Sequence, residues 1–197
     1  FSVVASTEGR LTADGIVNGL GVPMDGLVDG ATRYQTRIFF PNGKAETPSP
    51  LTIKIDSDFE GMRFLLPEPV GKTAESTLQV SGDIRFLPEG RGIQSAGFAE
   101  NRIAWELAFE PPRDNGGANQ GWDFDRGMVA LGGHVMEAAD TRGLHVRGST
   151  GVVRLQDWLS LSRSGESKIG AAERIRSIDL IVEDLYVVGQ HLKAHRL

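Results

Sequence analysis

The chain has 197 residues, of which 40% are hydrophobic, and its formal net charge at pH 7 is -5. This length and apolar content suffice for a hydrophobic core, which excludes a disordered tail. Acidic and basic residues are interspersed without a basic run, so we expect no nucleic-acid partner. The absence of cysteine excludes disulfides, thiolate zinc sites and a cysteine nucleophile.

The two ends of the chain indicate a single fragment of a longer protein, spanning residues 1–197. The first residue is Phe1 rather than Met, no signal-peptide pattern follows it, and the last predicted strand is unfinished. No apolar run approaches the ~20 residues that a membrane helix needs. We therefore expect any address signal or membrane anchor to lie outside this sequence.

Short apolar stretches separated by glycine, of which the chain has 25, predict an all-β protein. Apolar residues at every second position mark the strands, because successive side chains of a strand point to opposite faces. The first such run covers residues 34–40 and leads into a turn at 41–44, and the second covers residues 51–56. Their polar residues are expected to face water.

The next two predicted strands flank a double-proline turn at residues 67–72. Met62, Phe64 and Leu66 alternate up to Pro67, whose missing N–H ends strand pairing or places the segment at a sheet edge. Beyond the turn, one face of a further strand or hairpin consists of Leu78, Val80, Ile84 and Phe86. Gly82, inside this run, is expected to form a β-bulge.

The clearest alternation along the chain places four large apolar side chains on one face and a mixed set on the other. The apolar four are Ile103, Trp105, Leu107 and Phe109. Strand-like stretches follow at residues 122–131 and 143–148, and flexible loops are predicted near residues 111–121 and 162–174.

The C-terminal part of the chain contains the only predicted helix, a short one at residues 157–161 that packs Trp158 inward. Residues 175–197 then predict one long strand, or two strands separated by a kink near Glu183. Its first apolar face consists of Ile178, Leu180 and Val182.

Four histidines, at positions 134, 145, 191 and 195, are the candidates for acid–base or metal chemistry at neutral pH. His191 and His195 share a strand face, but they lie about 13 Å apart at 3.3 Å per residue, which is too far to chelate one ion. No carboxylate spacing supports any of the four. We therefore expect neither a metal site nor a cofactor.

Two carboxylate pairs are the basis for an enzymatic alternative. Asp56 and Asp58, like Asp123 and Asp125, lie two residues apart, which puts both side chains of a strand on one side about 6.5 to 7 Å apart. Such a pair hydrolyses glycosides only where a cleft raises the pKa of one carboxyl, and a sequence does not show this. No serine-nucleophile motif and no phosphate-binding loop accompany them. We expect no enzyme.

Three blocks of sequence, in this order, carry a family resemblance. The first is Asp-Ser-Asp-Phe-Glu-Gly-Met-Arg-Phe-Leu-Leu-Pro-Glu-Pro-Val-Gly-Lys at residues 56–72. The second is Gly-Leu-His-Val-Arg-Gly at residues 143–148 with the Asp-Trp-Leu that follows at 157–159, and the third is Asp-Leu-Ile-Val-Glu-Asp-Leu-Tyr-Val-Val-Gly at 179–189. In order and spacing they resemble segments of the large YhdP proteins of Gram-negative bacteria, over roughly residues 50–197.

The resemblance implies a fold and a function. Members of this family are AsmA-like, inner-membrane-anchored periplasmic proteins whose repeated sheet curls into a long open groove, a β-taco, that conducts phospholipids toward the outer membrane. The expected fold is therefore all-β, a large curved antiparallel sheet that forms an open apolar groove, with one short helix. The expected partners are phospholipids, together with inner- and outer-membrane components that parts of the protein outside this sequence contact.

The alternating faces supply candidate residues for the lining of such a groove. They are Leu78, Val80, Ile84, Phe86, Ile103, Trp105, Leu107, Phe109, Ile178, Leu180 and Val182. The family has no catalytic residues to carry over. The alternative is a closed β-sandwich or barrel that binds a small ligand or a carbohydrate, in which the same residues form an ordinary core.

Overall fold

The computed structural model of the protein describes residues 3–16, 26–41, 49–111, 122–133, 136–137, 139–163 and 174–197. This part of the chain is mainly β, as predicted, and includes one short α-helix. The strands are β1 (Val4–Thr12), β2 (Val28–Phe39), β3 (Leu51–Ser57), β4 (Met62–Phe64), β5 (Val80–Phe86), β6 (Ile93–Ala99), β7 (Ile103–Glu110), β8 (Asp123–Leu131), β9 (Gly143–Arg154), β10 (Ile175–Val187) and β11 (Gln190–Arg196), and the helix is α1 (Leu155–Arg163).

All of these strands belong to one large open sheet with the order β1-β2-β3-β5-β6-β7-β8-β9-β10-β11, and β4 pairs with the first residues of β2. The prediction of a purely antiparallel sheet is wrong, because β9 runs parallel to both β8 and β10. Parallel neighbours need a crossover connection, and the segments after β8 and after β9, the second of which contains α1, supply it. Alternation of side chains does not distinguish the two directions.

Two strands escaped prediction because few large apolar residues mark them. In β6 the side that shares a face with Trp105 consists of Ile93, Ser95, Gly97 and Ala99. The corresponding side of β1 is Ala5, Thr7, Gly9 and Leu11. Small residues at these positions leave no period-2 signal, although the strands pair along their whole length with their neighbours.

Local predictions around the double-proline turn and Gly82 are partly wrong. β4 ends at Phe64, three residues before Pro67, because Phe64 and Lys72 form an antiparallel bridge that closes the turn into a loop. Gly82 is not a bulge, since β5 keeps a regular register with both of its neighbours.

The predicted helix is confirmed and extends over Leu155–Arg163. The C-terminal segment forms two strands, and they separate at the Val188–Gly189 turn rather than near Glu183. Most of the two predicted flexible loops, at 112–121 and 164–173, lies outside the described residues, as does most of the predicted 41–44 turn.

Two clusters of buried apolar side chains form the core. The first consists of Leu131, Val153, Leu180, Val182 and Leu185, with Trp158 of α1 packed against it. The second consists of Ile16, Val28 and Met62, with Leu11, Ala13, Phe59 and Phe64 around it. In the described part of the chain, neither cluster takes a buried side chain from β3, β5 or β7, so the middle strands form a single layer. The described residues therefore do not form a closed β-sandwich.

Candidate functional site

The strand register divides the sheet into two faces of opposite character. Paired residues of neighbouring strands point to the same side, so the pairs can be followed from strand to strand across the sheet. On one side, the paired positions of β1 to β8 that are in register with Trp105 carry no charged side chain, and in β9 and β10 the paired positions of this side are charged only beyond Thr150 and Val182, at Arg154 and Asp184. We call this side the apolar face. Its large members are Ile38, Leu51, Ile53, Ile55, Val80, Ile84, Phe86, Ile93, Ile103, Trp105, Leu107, Phe109, Val129, Leu131, Leu144, Val146, Ile178, Leu180 and Val182.

The opposite side, the polar face, carries the charges of the same strands. Its ion pairs join neighbouring strands, as in Arg37–Asp56 (3.1 Å) and Arg196–Asp179 (2.6 Å). Arg142 contacts both Asp125 and Glu110 at 2.9 Å. From β1 to β8 the charges lie on one side only, which is the pattern of a sheet whose uncharged side meets an apolar medium or another apolar surface.

Ten of the predicted lining residues lie together on the apolar face, and they fall into two groups. Those of β5 and β7, together with Ile178, are partly or largely exposed. Leu180 and Val182 are buried in the first core cluster, with exposed fractions of 8% and 0%. The remaining residue, Leu78, is buried too, but it precedes β5 and belongs to no strand. That the face is concave stays a prediction.

Several residues of the same face were not among the predicted lining residues. Ile53 and Ile55 of β3 stand in register with Ile84 and Gly82, and their alternation was visible in the sequence. Leu144 and Val146 of β9 join the face through parallel pairing with β8 and β10. Only the tertiary structure shows this second connection.

Trp105 lies flat on the middle of the apolar face. Its ring crosses β6 and reaches β5, because Gly97 and Gly82 stand in register beside it and offer no Cβ. A Cβ at Gly82 would lie 3.0 Å from the indole Cζ2, and one at Gly97 would overlap it. The indole Nε1 donates a hydrogen bond to Ser95 Oγ at 3.2 Å. The polar edge of the ring is thereby paired, and its apolar surface covers the three strands.

One end of the apolar face is covered. We define the covered end as the part of the face formed by Leu131, Leu180 and Val182 of the first core cluster, against which Trp158 packs, with Ile103 at its border. The rest of the face, from Trp105 to Phe109 and the residues in register with it, carries no buried large side chain among the described residues. We call this part the uncovered stretch.

The loop at residues 65–71 holds the covering helix in place. Trp158 Nε1 donates a hydrogen bond to the carbonyl oxygen of Glu68 at 3.2 Å, and Arg154 Nη1 donates one to Glu68 Oε2 at the same distance. Arg102, at the start of β7, donates from Nη2 to the carbonyl oxygen of Pro69 at 2.7 Å. The double-proline loop thus connects β4 to the ends of β7 and β9.

Lys72, the last residue of the first resemblance block, fastens this loop from inside. Its side chain is buried, and Nζ donates hydrogen bonds to the carbonyl oxygens of Met62 and Thr73, both at 2.8 Å. Burial lowers the pKa of Lys72, because the charged form loses water. The position therefore calls for a long donor that spans the loop, which accounts for a lysine at this point of the motif.

The first predicted carboxylate pair does not form. Asp56 accepts a hydrogen bond from Ser81 Oγ at 2.7 Å on the polar face, whereas Asp58 Oδ1 accepts one from Glu60 N at 3.0 Å beyond the end of β3. The hydrogen bond from Ser81, together with Arg37, lowers the pKa of Asp56. A general acid needs the opposite shift.

In the second predicted carboxylate pair, Asp123 and Asp125, the side chain of Asp125 forms ion pairs. Asp125 contacts Arg126 Nη1 at 2.7 Å and Arg142 Nε at 2.9 Å, and only 4% of its side chain is exposed. Two arginines thus pair with this carboxylate, which is not open to a substrate.

The histidines that the structure describes have protein partners. His145 lies between Ser177 Oγ (2.7 Å) and Thr141 Oγ1 (3.0 Å), and His191 contacts Asp184 at 2.6 Å while stacking on Tyr186. Position 134 and the side chain at position 195 lie outside the described residues. Among the described side chains, no group of three or more His, Asp or Glu residues is placed to hold a metal ion.

Comparison with known proteins gives one match. The model of a protein family described as "YhdP protein" matches residues 1–197, the whole chain. No curated protein and no solved structure matches the chain. None of the helices in the described part is long and apolar enough to cross a membrane.

Proposed function

The chain belongs to the YhdP family, and from this premise we propose that it is a segment of a periplasmic lipid-transport bridge between the inner and outer membranes. Its apolar face shields phospholipid acyl chains while they move, and the head groups stay in water. The protein performs no chemical step in this proposal. The membrane anchor and the contacts with the two membranes are assigned to parts of the protein outside this sequence.

The single observation that carries the proposal is the uncovered stretch. Ile84, Trp105 and Leu107 are large apolar side chains in the middle of a sheet, and the described residues place no second layer over them. Apolar surface of this extent on a soluble protein marks a site for an apolar ligand or partner. The absence of charge at the paired positions of this face from β1 to β8 supports a ligand that runs across many strands.

Magnitudes support loose binding along the face. Burying an acyl chain of about 16 methylenes, at about 0.8 kcal/mol each, gives an upper limit near 13 kcal/mol. An acyl chain that contacts the face on one side gains only part of this free energy, because its other side stays in water. A shallow, extended surface therefore holds a lipid without a deep energy minimum that would stop its movement.

The arrangement of Trp105 over Gly82 and Gly97 supports movement of a lipid along the face rather than binding in a fitted pocket. With the indole lying flat, the floor of the uncovered stretch has no side chain standing upright at Gly82 or Gly97. The indole N–H is paired with Ser95, so no polar group of this ring is left to fix a head group. A smooth apolar floor allows an acyl chain to slide.

Photocrosslinking in Gram-negative cells tests the proposal. A photoreactive residue is placed in the full-length protein at Leu107. The matched control has it at Glu106, the preceding residue of β7, which points to the polar face. We expect phospholipid adducts at position 107 and none at 106. Adducts at neither position, or equal adducts at both, would mean that the apolar face does not carry lipid.

A further inference from the structure

The apolar face continues beneath α1. Leu131, Leu180 and Val182 are in register with the residues of the uncovered stretch, through Val129 and Val146. They lie on the same side of the sheet as the uncovered stretch, and they are buried in the first core cluster, against which Trp158 packs. The side chain of Trp158 therefore occupies the place on this face that an acyl chain occupies elsewhere in the proposed function.

The helix that carries Trp158 packs against the first core cluster through that side chain, and its Gln156 faces the turn at Tyr186, Val188 and Gly189. α1 has nine residues, and its cover over the cluster depends on one large side chain. The indole hydrogen bond to Glu68 and the Arg154–Glu68 ion pair join it to the double-proline loop. Both ionic side chains are half-exposed or more, at 50% and 66%, so water weakens this pair.

We propose that the covered end is a further acyl-chain site, lined by Leu131, Leu180 and Val182, and that Trp158, latched to Glu68, closes it. When the latch is closed, a lipid on the uncovered stretch stops at Ile103. When α1 lifts, the apolar face extends by the length of the cluster. This inference rests on the proposed function, because it takes the occupant of the site to be a phospholipid acyl chain.

The geometry favours an acyl chain over another occupant. The three lining residues are uncharged, and the charged positions that follow them on this side of β9 and β10, Arg154 and Asp184, are paired with Glu68 and His191. The indole is itself a flat apolar group of a few carbon atoms in width. Its departure leaves a strip continuous with the uncovered stretch, which fits a linear hydrocarbon.

Labelling with a photoreactive lipid tests the site. The full-length purified protein is mixed with vesicles of phosphatidylethanolamine that contain a phosphatidylethanolamine with a diazirine in one acyl chain, and adducts are mapped by mass spectrometry. We expect adducts on β7 in every variant, and adducts on residues 180–182 to rise at least fivefold in Trp158→Ala. The control, Trp122→Ala, removes a 40% exposed tryptophan and leaves residues 180–182 unlabelled.

The outcomes separate this inference from the proposed function. Adducts on β7 without any increase at 180–182 in Trp158→Ala would overturn the covered site and leave the proposed function standing. Labelling of residues 180–182 to the same extent in the unaltered protein would show that Trp158 closes nothing. Absence of adducts on β7 in every variant would overturn both.

A second measurement keeps the latch testable if Trp158→Ala fails to fold. Trp158→Phe keeps one aromatic ring over the cluster and removes the N–H that donates a hydrogen bond to the Glu68 carbonyl oxygen, together with the second ring of the indole. We expect amide hydrogen exchange in residues 65–71 to accelerate severalfold, with no change for Trp122→Phe. Unchanged exchange in Trp158→Phe would mean that the indole hydrogen bond does not hold the loop, and the latch would be refuted without any lipid present.

Discussion

The ring of Trp105 lies against the backbone of Gly97, its partner in register on β6, so closely that a Cβ at position 97 would overlap the indole Cζ2. This contact lets one side chain cover three strands of the apolar face. It also makes a glycine in the middle of a strand a requirement of packing, although glycine weakens strands in general.

Gly97→Ala is expected to lower the free energy of unfolding by about 1 to 3 kcal/mol, because the new methyl group overlaps the Trp105 ring and the backbone of Ser81 and Gly82. Urea unfolding followed by circular dichroism measures the change. The matched control is Gly151→Ala in β9, where a Cβ meets nothing within 4 Å and the change should stay within about 0.5 kcal/mol. Equal effects of the two substitutions would contradict the role given to the Trp105 contact.

Two positions of β10 distinguish the covered end from the uncovered stretch. Val182 is fully buried, with an exposed fraction of 0%, whereas Ile178 on the same face is 49% exposed. Val182→Ala removes two buried methyl groups and leaves a cavity, so we expect it to lower the free energy of unfolding by about 2 to 3 kcal/mol. Ile178→Ala should change it by about 0.5 kcal/mol, and the same denaturation experiment compares the two. A cost at Ile178 as large as that at Val182 would show that the strand is buried along its whole length.

Lys72→Met is expected to destabilise the protein by about 1 to 2 kcal/mol at pH 7. Methionine fills the space of the lysine stem, but the carbonyl oxygens of Met62 and Thr73 lose their donor, and a buried acceptor without a partner is costly. Lys54→Met on the polar face is the control, because Lys54 is exposed and its Nζ lies 5.7 Å from the centroid of the Phe39 ring. A more stable Lys72→Met protein would mean that the desolvated charge outweighs the two hydrogen bonds.

The same variant has a pH signature. Burial lowers the folded-state pKa of Lys72 below its ordinary value of 10.5, so between the two values the unfolded chain binds more protons than the folded one. Stability therefore rises with pH in that window. We expect the unaltered protein to gain stability relative to Lys72→Met as the pH approaches 10.5, measured by denaturation at a series of pH values. A constant difference would show that the ammonium group is not desolvated.

The β character, the short helix around Trp158 and the faces of β5, β7 and the first half of β10 could be predicted from the sequence alone. These follow from local rules: side chains of a strand alternate, and glycine and proline interrupt the alternation. The resemblance blocks led to the family that the whole-chain match supports. Where the local signal is weak, as in β6 with its serine, glycine and alanine, the strand was missed.

Which of those faces are joined and which are covered depends on long-range contacts, and these are visible only in the three-dimensional structure. Ile178 and Val182 alternate identically in sequence, yet one is exposed and the other is buried, because Trp158 packs on one end of the face alone. Parallel pairing of β9 and the contact of Glu68 with a helix 90 residues away depend on long-range connections, and no period in the sequence encodes them. Alternation fixes the side to which a residue points, whereas burial depends on what the rest of the chain brings to that side.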